Sequence, residues 1–303
     1  MNLCNKFVCD TTMLLDRSQV IDRLNVMKVQ EATTYRCSDY LSNLPRTSHH
    51  VDAWCRTKMI EWCFQVTDFA DFSRDTVIIA ISYLDRFMSS GTPRAREVLQ
   101  DRKEYQLATM TALYTAIKIH EPKLINMSLL AELSRGIYCE QDFKRMEVDL
   151  LSSLTWRLAG PTAITFLEHY IALLSLKNSG IPIDAVSQNA HYQIELSVID
   201  YGHVGTTPSK AAAAALVRSI KTVTASTELA SRRSKALKEL QDICGTDLGS
   251  ACLRKIGLQM ARYEGLQNIT CRRNSAPPCF TRNGCGSISM RGSRSCSPRE
   301  ILN

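Results

Sequence analysis

Residues 50–70 read HVDAWCRTKMIEWCFQVTDFA, and their apolar side chains recur at steps of three and four. The main stripe consists of Cys55, Met59, Trp62, Val66 and Phe69. This spacing predicts an α-helix. Further apolar residues, among them Ile60 and Phe64, cover other faces, and a helix that is apolar nearly all round is typical of a buried central helix.

Four more helices are predicted after this one, with Gly91-Thr92-Pro93 and Pro122 as stop signals. They begin after Ser73 and reach about Met88, then span Lys103 to His120, Ser128 to Ser134 and Glu140 to Leu154. The sequence therefore predicts a set of five helices before the boundary at Gly160-Pro161.

A second set of five helices is predicted beyond that boundary. It comprises Thr162 to Ser175, Asp184 to Tyr201, Ser209 to Val223, Ser234 to Cys244 and Leu248 to Tyr263. The two sets share short sequences in the same order: SYLD at 82–85 matches SVID at 197–200, and ALYTAIK at 112–118 matches ALVRSIK at 215–221. Both third helices are rich in small residues, which suits a helix that four others surround. Chance similarity between amphipathic helices is the alternative, but the agreement in order and number favours a tandem repeat.

We therefore predict an all-α fold made of tandem five-helix domains. Residues 1–45 form an N-terminal extension with one helix, from Gln19 to Thr33. The two helical domains occupy 46–160 and 161–265, and residues 266–303 form a basic, disordered tail rich in Gly, Ser, Pro and Arg. Few stretches alternate with period two, so no sheet is expected.

The positive charge of the chain is concentrated in this tail. From Cys271 onward six arginines oppose the single acid Glu300, which gives a net charge of +5 out of the +7 of the whole chain and leaves +2 for the body. A nearly neutral body does not favour nucleic-acid binding, whereas a basic tail suggests nuclear import or weak electrostatic contact.

Neither a membrane segment nor a metal site is expected. No apolar run approaches the ~20 residues of a transmembrane helix, and the N-terminus has no long apolar stretch, so we expect no signal peptide. The twelve cysteines include no CxxC pair and no histidine at zinc-finger spacing. They are interpreted as reduced intracellular thiols.

No catalytic constellation is visible, so we predict neither an enzyme, nor a cofactor, nor a small-molecule substrate. The sequence lacks GxxxxGK[ST], GxSxG, HExxH and kinase motifs. Instead, charged residues interrupt apolar helices. Arg56 and Asp85 are natural partners for a buried ion pair, although two solvent-facing charges are the alternative. On the residues alone, Lys118 and Glu147 are interpreted as an ordinary surface pair.

Taken together, these segments resemble a cyclin box. The resemblance rests on RTKMIEW at 56–62, YLDRFMSS at 83–90, residues 107–118, RME at 145–147 and LTWRLAGPT at 154–162, and it covers about 51–161 in strict order. The second helical set resembles the C-terminal cyclin fold. TPSKAAAAA at 207–215 and CGTDLGSAC at 244–252 resemble the D-type pattern.

The resemblance implies a non-catalytic subunit that binds and activates a cyclin-dependent protein kinase. Five characteristic positions carry over to Arg56, Asp85, Leu107, Lys118 and Glu147. By that resemblance the Arg56–Asp85 pair joins the first two helices. Lys118 and Glu147 bond the backbone around the αC helix of the kinase, and Leu107 belongs to the same kinase-binding set. A nuclear location, with some of the protein in the cytoplasm, is also expected from the family and the basic tail.

Cyclins also carry a substrate-recruiting groove on the first helix, and the matching positions here depart from its pattern. The positions are Cys55, Arg56, Lys58, Met59, Trp62, Gln65 and Gln106. Trp62 and Gln106 fit, but Lys58 places a charge among apolar anchors and Gln65 replaces an acid. We therefore expect the groove to be altered or absent, with Trp62 then serving in the core.

Two other functions remain as alternatives. The chain can serve a transcription- or nutrient-linked kinase instead of the division cycle, or it can be a DNA-binding general transcription factor of the same fold. The second class usually has a zinc ribbon and a basic body, and neither is present. In the tail, Ser297 before Pro298 is a candidate phosphosite.

Overall fold

A computed structural model of the chain describes residues 16–42, 44, 50–174, 180–264, 280–282 and 288–290. Twelve α-helices lie in this part of the chain. They are α1 Arg17–Ala32, α2 Ala53–Ala70, α3 Arg74–Ser89, α4 Pro93–Gln100, α5 Arg102–His120, α6 Met127–Leu133, α7 Glu140–Ser153, α8 Ala163–Leu173, α9 Ile183–Ile199, α10 Pro208–Val223, α11 Ala230–Cys244 and α12 Ala251–Glu264. Two 3₁₀ turns, Tyr201–His203 and Thr227–Leu229, join α9 to α10 and α10 to α11. The predicted all-α fold class is confirmed.

The helices fall into two compact units. One unit contains residues 37–158 and therefore α2 to α7. Its centre is α5, which packs against α2, α3, α4 and α7. This agrees with the expectation that the third helix, rich in small residues such as Ala108 and Ala112, is the one that four others surround. Helix α2, expected to be a buried central helix, is largely buried and packs against α3 and α5.

This unit has six helices instead of the five predicted, because Pro93 begins a helix. Thr92 caps α4 by accepting from the amide of Ala95 at 3.3 Å, and Pro93 occupies the first turn, where its missing N–H is not needed. The eight-residue helix buries Ala95, Val98 and Leu99. Arg94 also binds Glu104 and Asp149, which connects α4 to α5 and α7.

The other unit contains residues 3–36 and 159–265, of which 16–36, 159–174 and 180–264 are described. Its centre is α10, which packs against α8, α9, α11 and α12. The run of alanines from Ala211 to Ala215 is buried and permits this close packing.

Helix α1 is attached to this unit by charged side chains at three helix ends. Arg17 donates to the carbonyl of Leu173 at 2.8 Å, and Lys28 donates to the carbonyl of Cys244 at 2.8 Å, so two cations lie at the C-termini of α8 and α11. Glu31 accepts from the amide of Ser209 at 2.9 Å, at the N-terminus of α10. The charge of each of these side chains is opposite to the partial charge of the helix end that it contacts. The residues predicted as one extension, 1–45, are thus divided between the two units, and the predicted domain boundaries stay predictions.

One pair of short strands lies in the predicted tail. Phe280–Arg282 (β1) and Ile288–Met290 (β2) pair antiparallel, with Thr281 opposite Ser289. Strands of three residues are too short to produce a detectable period-two signal, so the sequence did not indicate them. The other residues after 264 lie outside the described part of the chain.

Candidate functional site

Arg56 and Asp85 form a buried, bidentate ion pair between α2 and α3. Arg56 Nε donates to Asp85 Oδ1 at 3.0 Å, and Nη2 donates to Oδ2 at 2.8 Å. The side chain of Arg56 is 2% exposed. Burial is the largest single effect and acts to lower the pKa of Arg56, but the charge of Asp85, the hydrogen bonds to it and the nearby Tyr40 and Tyr105 together outweigh burial, and the net shift is upward. The arginine therefore stays charged, and the pair joins the two helices.

Tyr40 completes this ion pair, which sequence reasoning missed. Its buried hydroxyl donates to Asp85 Oδ1 at 2.8 Å, and Ser38 and Ser89 exchange two hydrogen bonds of 3.0 Å one turn of α3 away. Burial, together with the charge of Asp85, raises the pKa of Tyr40 well above its ordinary value. The segment lies in the predicted N-terminal extension, beyond its predicted helix. The aromatic side chain of Tyr40 among polar neighbours was the available signal.

Lys118 and Glu147 meet where α5 lies against α7. Lys118 Nζ is 3.3 Å and 3.4 Å from the two carboxylate oxygens of Glu147. The lysine side chain is 50% exposed and the glutamate 12% exposed. Thr115 Oγ1 is 3.3 Å from Glu147 Oε1, and the ring of Tyr114 lies 5.8 Å from Lys118 Nζ. Lys118 is therefore half exposed to solvent, whereas Glu147 is mostly buried and also contacts Thr115.

The residue that follows each member of this pair in the sequence has an exposed apolar side chain. Ile119 is 47% exposed and Val148 is 57% exposed. We call Lys118, Ile119, Glu147 and Val148 the α5–α7 surface. Apolar side chains grouped with exposed polar groups indicate a surface for protein contact.

Trp156, just beyond α7, is another large apolar residue on the surface, and the sequence patterns did not single it out. It is 68% exposed and has a left-handed φ of 59°, after Thr155 with φ of 51°. Its amide donates to the carbonyl of Leu151 at 3.0 Å, which fixes the backbone at the end of the helix. An exposed tryptophan on an ordered backbone suits recognition, because aromatic anchors dominate binding energy in protein interfaces.

The other predicted site residues lie mostly inside the same unit. Leu107 is 4% exposed, so we leave it out of the α5–α7 surface. Cys55, Met59, Trp62 and Gln106 are also buried, with the hydroxyl of Tyr138 3.0 Å from Gln106 Oε1. Gln65 is exposed, and Lys58 pairs with Glu61 at 2.8 Å. None of these four buried side chains is exposed for contact with a substrate. That the substrate-recruiting groove is altered or absent stays a prediction.

Within the described ranges, no three His, Cys, Asp or Glu residues are grouped as metal ligands would be. The six described cysteines, at 37, 55, 63, 139, 244 and 252, are free thiols. The candidate phosphosite Ser297 lies outside the described residues. None of the helices in the described part has the length and apolarity to cross a lipid bilayer.

Two sequence families match the chain. Residues 22–159 match the N-terminal domain of cyclins, and residues 161–270 match the C-terminal domain of cyclins.

Similar proteins include a G2/mitotic-specific cyclin, C13-1, from Daucus carota. It is 27% identical over 246 residues, which is 81% of this chain and 68% of that protein. The G2/mitotic-specific cyclin-B3 of Drosophila melanogaster is 28% identical over 66% of this chain, and the matched part is 32% of its own length. Cyclin-A3-1 of Oryza sativa subsp. japonica is 28% identical over 75% of this chain and 56% of its length. The chain thus spans less than two thirds of several relatives. Two of these three relatives have A- or B-type names, and none has a D-type name, so the D-type resemblance stays a prediction.

Among solved structures, a viral cyclin from herpesvirus saimiri has a similar fold. It superposes with a TM-score of 0.56 at 18% sequence identity, covering 80% of this chain and 98% of the viral chain. At this level of identity the comparison concerns the fold alone, and it agrees with a tandem helical architecture.

Proposed function

Since this chain belongs to the cyclin family, it is a non-catalytic regulatory subunit, and we propose that it binds and activates a cyclin-dependent serine/threonine protein kinase in the control of the cell cycle. The relatives named after the G2 and mitotic stages support this over a transcription- or nutrient-linked kinase.

The observation that carries this proposal is the half-open Lys118–Glu147 pair beside exposed apolar residues. The ammonium of Lys118 is a donor of hydrogen bonds, and the carboxylate of Glu147 accepts them. Because the lysine is 50% exposed, it can turn from Glu147 to a carbonyl of a partner's main chain. Ile119 and Val148 add apolar area that contact with a partner helix would bury.

Activation follows from the chemistry of kinases. A kinase holds the ATP phosphates through a strand lysine that must pair with a glutamate on its αC helix. A partner that binds only the paired arrangement shifts the population toward it. A shift from mostly inactive to mostly active needs on the order of 5 kcal/mol of differential affinity, which an interface of about 1,600 Å² can supply.

Rigidity of the helical unit supports this role. Arg56 and Asp85 join α2 to α3, and Arg94 connects α4 to α5 and α7. A unit tied together at several places keeps its shape when a partner binds. The binding energy is then available for moving the kinase helix instead of deforming the subunit.

The test is a charge exchange, Lys118→Glu with Glu147→Lys, measured by capture of the kinase from solution. The exchange keeps an opposite-charge pair, so we expect the fold to persist, while the donor and acceptor positions presented to the kinase are reversed. Capture should fall strongly. The matched control exchanges Glu140→Lys with Lys144→Glu, an exposed i,i+4 pair on α7 at 3.7 Å. If both double variants captured the kinase equally well, we would conclude that Lys118 and Glu147 do not lie in the interface.

The kinase itself is to be identified by pull-down from dividing cells. Recovery of a transcription- or nutrient-linked kinase in place of a cell-cycle kinase would redirect the proposal within the same family.

We also propose a nuclear location, with some protein in the cytoplasm. Six arginines against one acid give the tail a net charge of +5 from Cys271 onward, as in many import signals. Fusion of residues 266–303 to a fluorescent protein should move it into the nucleus, and a uniform distribution would contradict the proposal.

A further inference from the structure

Thr115 lies beneath the Lys118–Glu147 pair on α5. Its side chain is buried, at 1% exposed, and Oγ1 lies 3.3 Å from Glu147 Oε1 and 2.9 Å from the carbonyl of Thr111. Lys118 Nζ approaches the same Glu147 oxygen at 3.3 Å. One carboxylate oxygen is thus shared by a buried hydroxyl and a half-exposed ammonium.

The two donors differ in what a partner would do to them. The long stem of Lys118 lets the ammonium leave Glu147 for a carbonyl on the partner. The hydroxyl of Thr115 cannot follow, because it is buried in the helix interface. When Lys118 turns outward, the hydrogen bond from Thr115 still holds the carboxylate of Glu147 in place.

We propose that Thr115 is a positioning residue, which fixes the side chain of Glu147 for hydrogen bonding to the kinase. This role rests on the proposed function and deepens it. A glutamate that is already fixed loses less rotamer freedom when a partner binds, so the contact is stronger for the same hydrogen bonds. The hydroxyl also shares its proton with a charged acceptor, and hydrogen bonds to ionised groups are the stronger kind.

The same helix provides an internal control. Thr111 is also buried and also donates to the carbonyl four residues earlier, Leu107, at 2.7 Å. Its hydroxyl makes no bond to Glu147 among the described contacts. Thr111→Val and Thr115→Val therefore make the same chemical change one turn apart, and only the second removes a donor to Glu147.

The experiment measures kinase affinity and melting temperature for the full chain and its variants. Thr115→Val should weaken kinase binding by roughly five- to tenfold, about the contribution of one ordinary hydrogen bond, while its melting temperature stays close to that of Thr111→Val. Thr111→Val should bind like the wild type. Thr115→Ser, which restores the hydroxyl, should recover most of the affinity.

A double-mutant cycle separates positioning from general destabilisation. In the Glu147→Ala background, Thr115→Val should have no further effect on affinity, because nothing remains to be positioned. The same loss in both backgrounds, or equal losses for Thr111→Val and Thr115→Val, would overturn the role of Thr115 while leaving kinase binding intact. Failure of the wild-type chain to bind any cyclin-dependent kinase would instead contradict the proposed function and, with it, this role.

Discussion

Tyr40 donates its hydroxyl to Oδ1 of Asp85 at 2.8 Å, and this oxygen is the one that also accepts from Nε of Arg56. A segment between two predicted helices is thereby tied to a buried charge on α3. Within the described residues, the carboxylate accepts buried hydrogen bonds from Arg56 Nε, Arg56 Nη2 and the hydroxyl of Tyr40.

Tyr40→Phe should lower the free energy of unfolding by about 1.5–3 kcal/mol, because it removes a buried hydrogen bond to a charged acceptor. Chemical denaturation measures the change. The control is Tyr192→Phe, since the buried hydroxyl of Tyr192 has no hydrogen-bond partner in the described part of the chain. A loss of equal size in the two variants would show that the bond to Asp85 contributes nothing specific.

Arg56→Ala should lower the free energy of unfolding by about 3–5 kcal/mol, because it leaves the Asp85 carboxylate buried without its cation. Lys144→Ala breaks an exposed pair on α7 and should change stability by less than about 1 kcal/mol. Thermal unfolding of both variants checks the contrast. A melting temperature of Arg56→Ala within a degree of wild type would count against the pair.

Glu31→Gln should change how stability depends on pH. Burial raises the pKa of Glu31, and the hydrogen bonds from Ser209 offset part of this shift. A carboxyl group whose pKa is higher in the folded state favours folding most below its unfolded pKa, and this contribution is lost as pH rises through the folded pKa.

The stability of wild type minus that of Glu31→Gln should therefore fall as pH rises from about 4 toward neutrality. Denaturation curves at several pH values provide the measurement. A difference that stays constant or grows with pH would contradict the burial of an ionisable Glu31 at the start of α10.

His169→Gln should remove a loss of stability at acidic pH. His169 is 3% exposed, and its Nδ1 lies 2.7 Å from the carbonyl of Thr165, which can only accept, so Nδ1 carries the proton. Nε2 is buried with no acceptor among the described residues. Burial, aided by the charge of Arg23, lowers the pKa of His169, against the opposing effect of the Thr165 bond.

A histidine with a lowered folded-state pKa stabilises the fold above its unfolded pKa of about 6.5, and this contribution is lost as pH falls through the folded value. The wild type should thus lose more stability than His169→Gln between pH 7.5 and pH 5. Parallel slopes for the two proteins would show that His169 is not the group responsible.

Local signals in the sequence predicted much of the fold. The stripe from Cys55 to Phe69 gave α2, and Ser73, which accepts from the amide of Asp75 at 3.3 Å, marked the start of α3. Such signals act over one or two turns of helix, so they can be read directly from residue order. Pro93 was misinterpreted because proline both ends helices and begins them.

Contacts between distant residues could not be predicted in this way. Glu31 and Ser209 are 178 positions apart, and nothing in the periodicity of α1 indicates which helix end its carboxylate reaches. Tyr40 and Thr115 were missed for the same reason, because the role of each depends on a charged partner that lies on a helix distant in sequence. The Lys118–Glu147 pair was singled out only through the family resemblance, since its residues alone indicated an ordinary surface pair.

The most direct test of the account is the phosphorylation rate of a purified cyclin-dependent kinase with and without this chain. The wild-type chain should raise the rate by on the order of a hundredfold, as expected when a nearly inactive population becomes nearly all active. The exchange of Lys118 with Glu147 should abolish most of that rise, and the exchange of Glu140 with Lys144 should not. A rate that stays at the level of the isolated kinase with every candidate kinase of the organism, with no complex formed, would contradict the account.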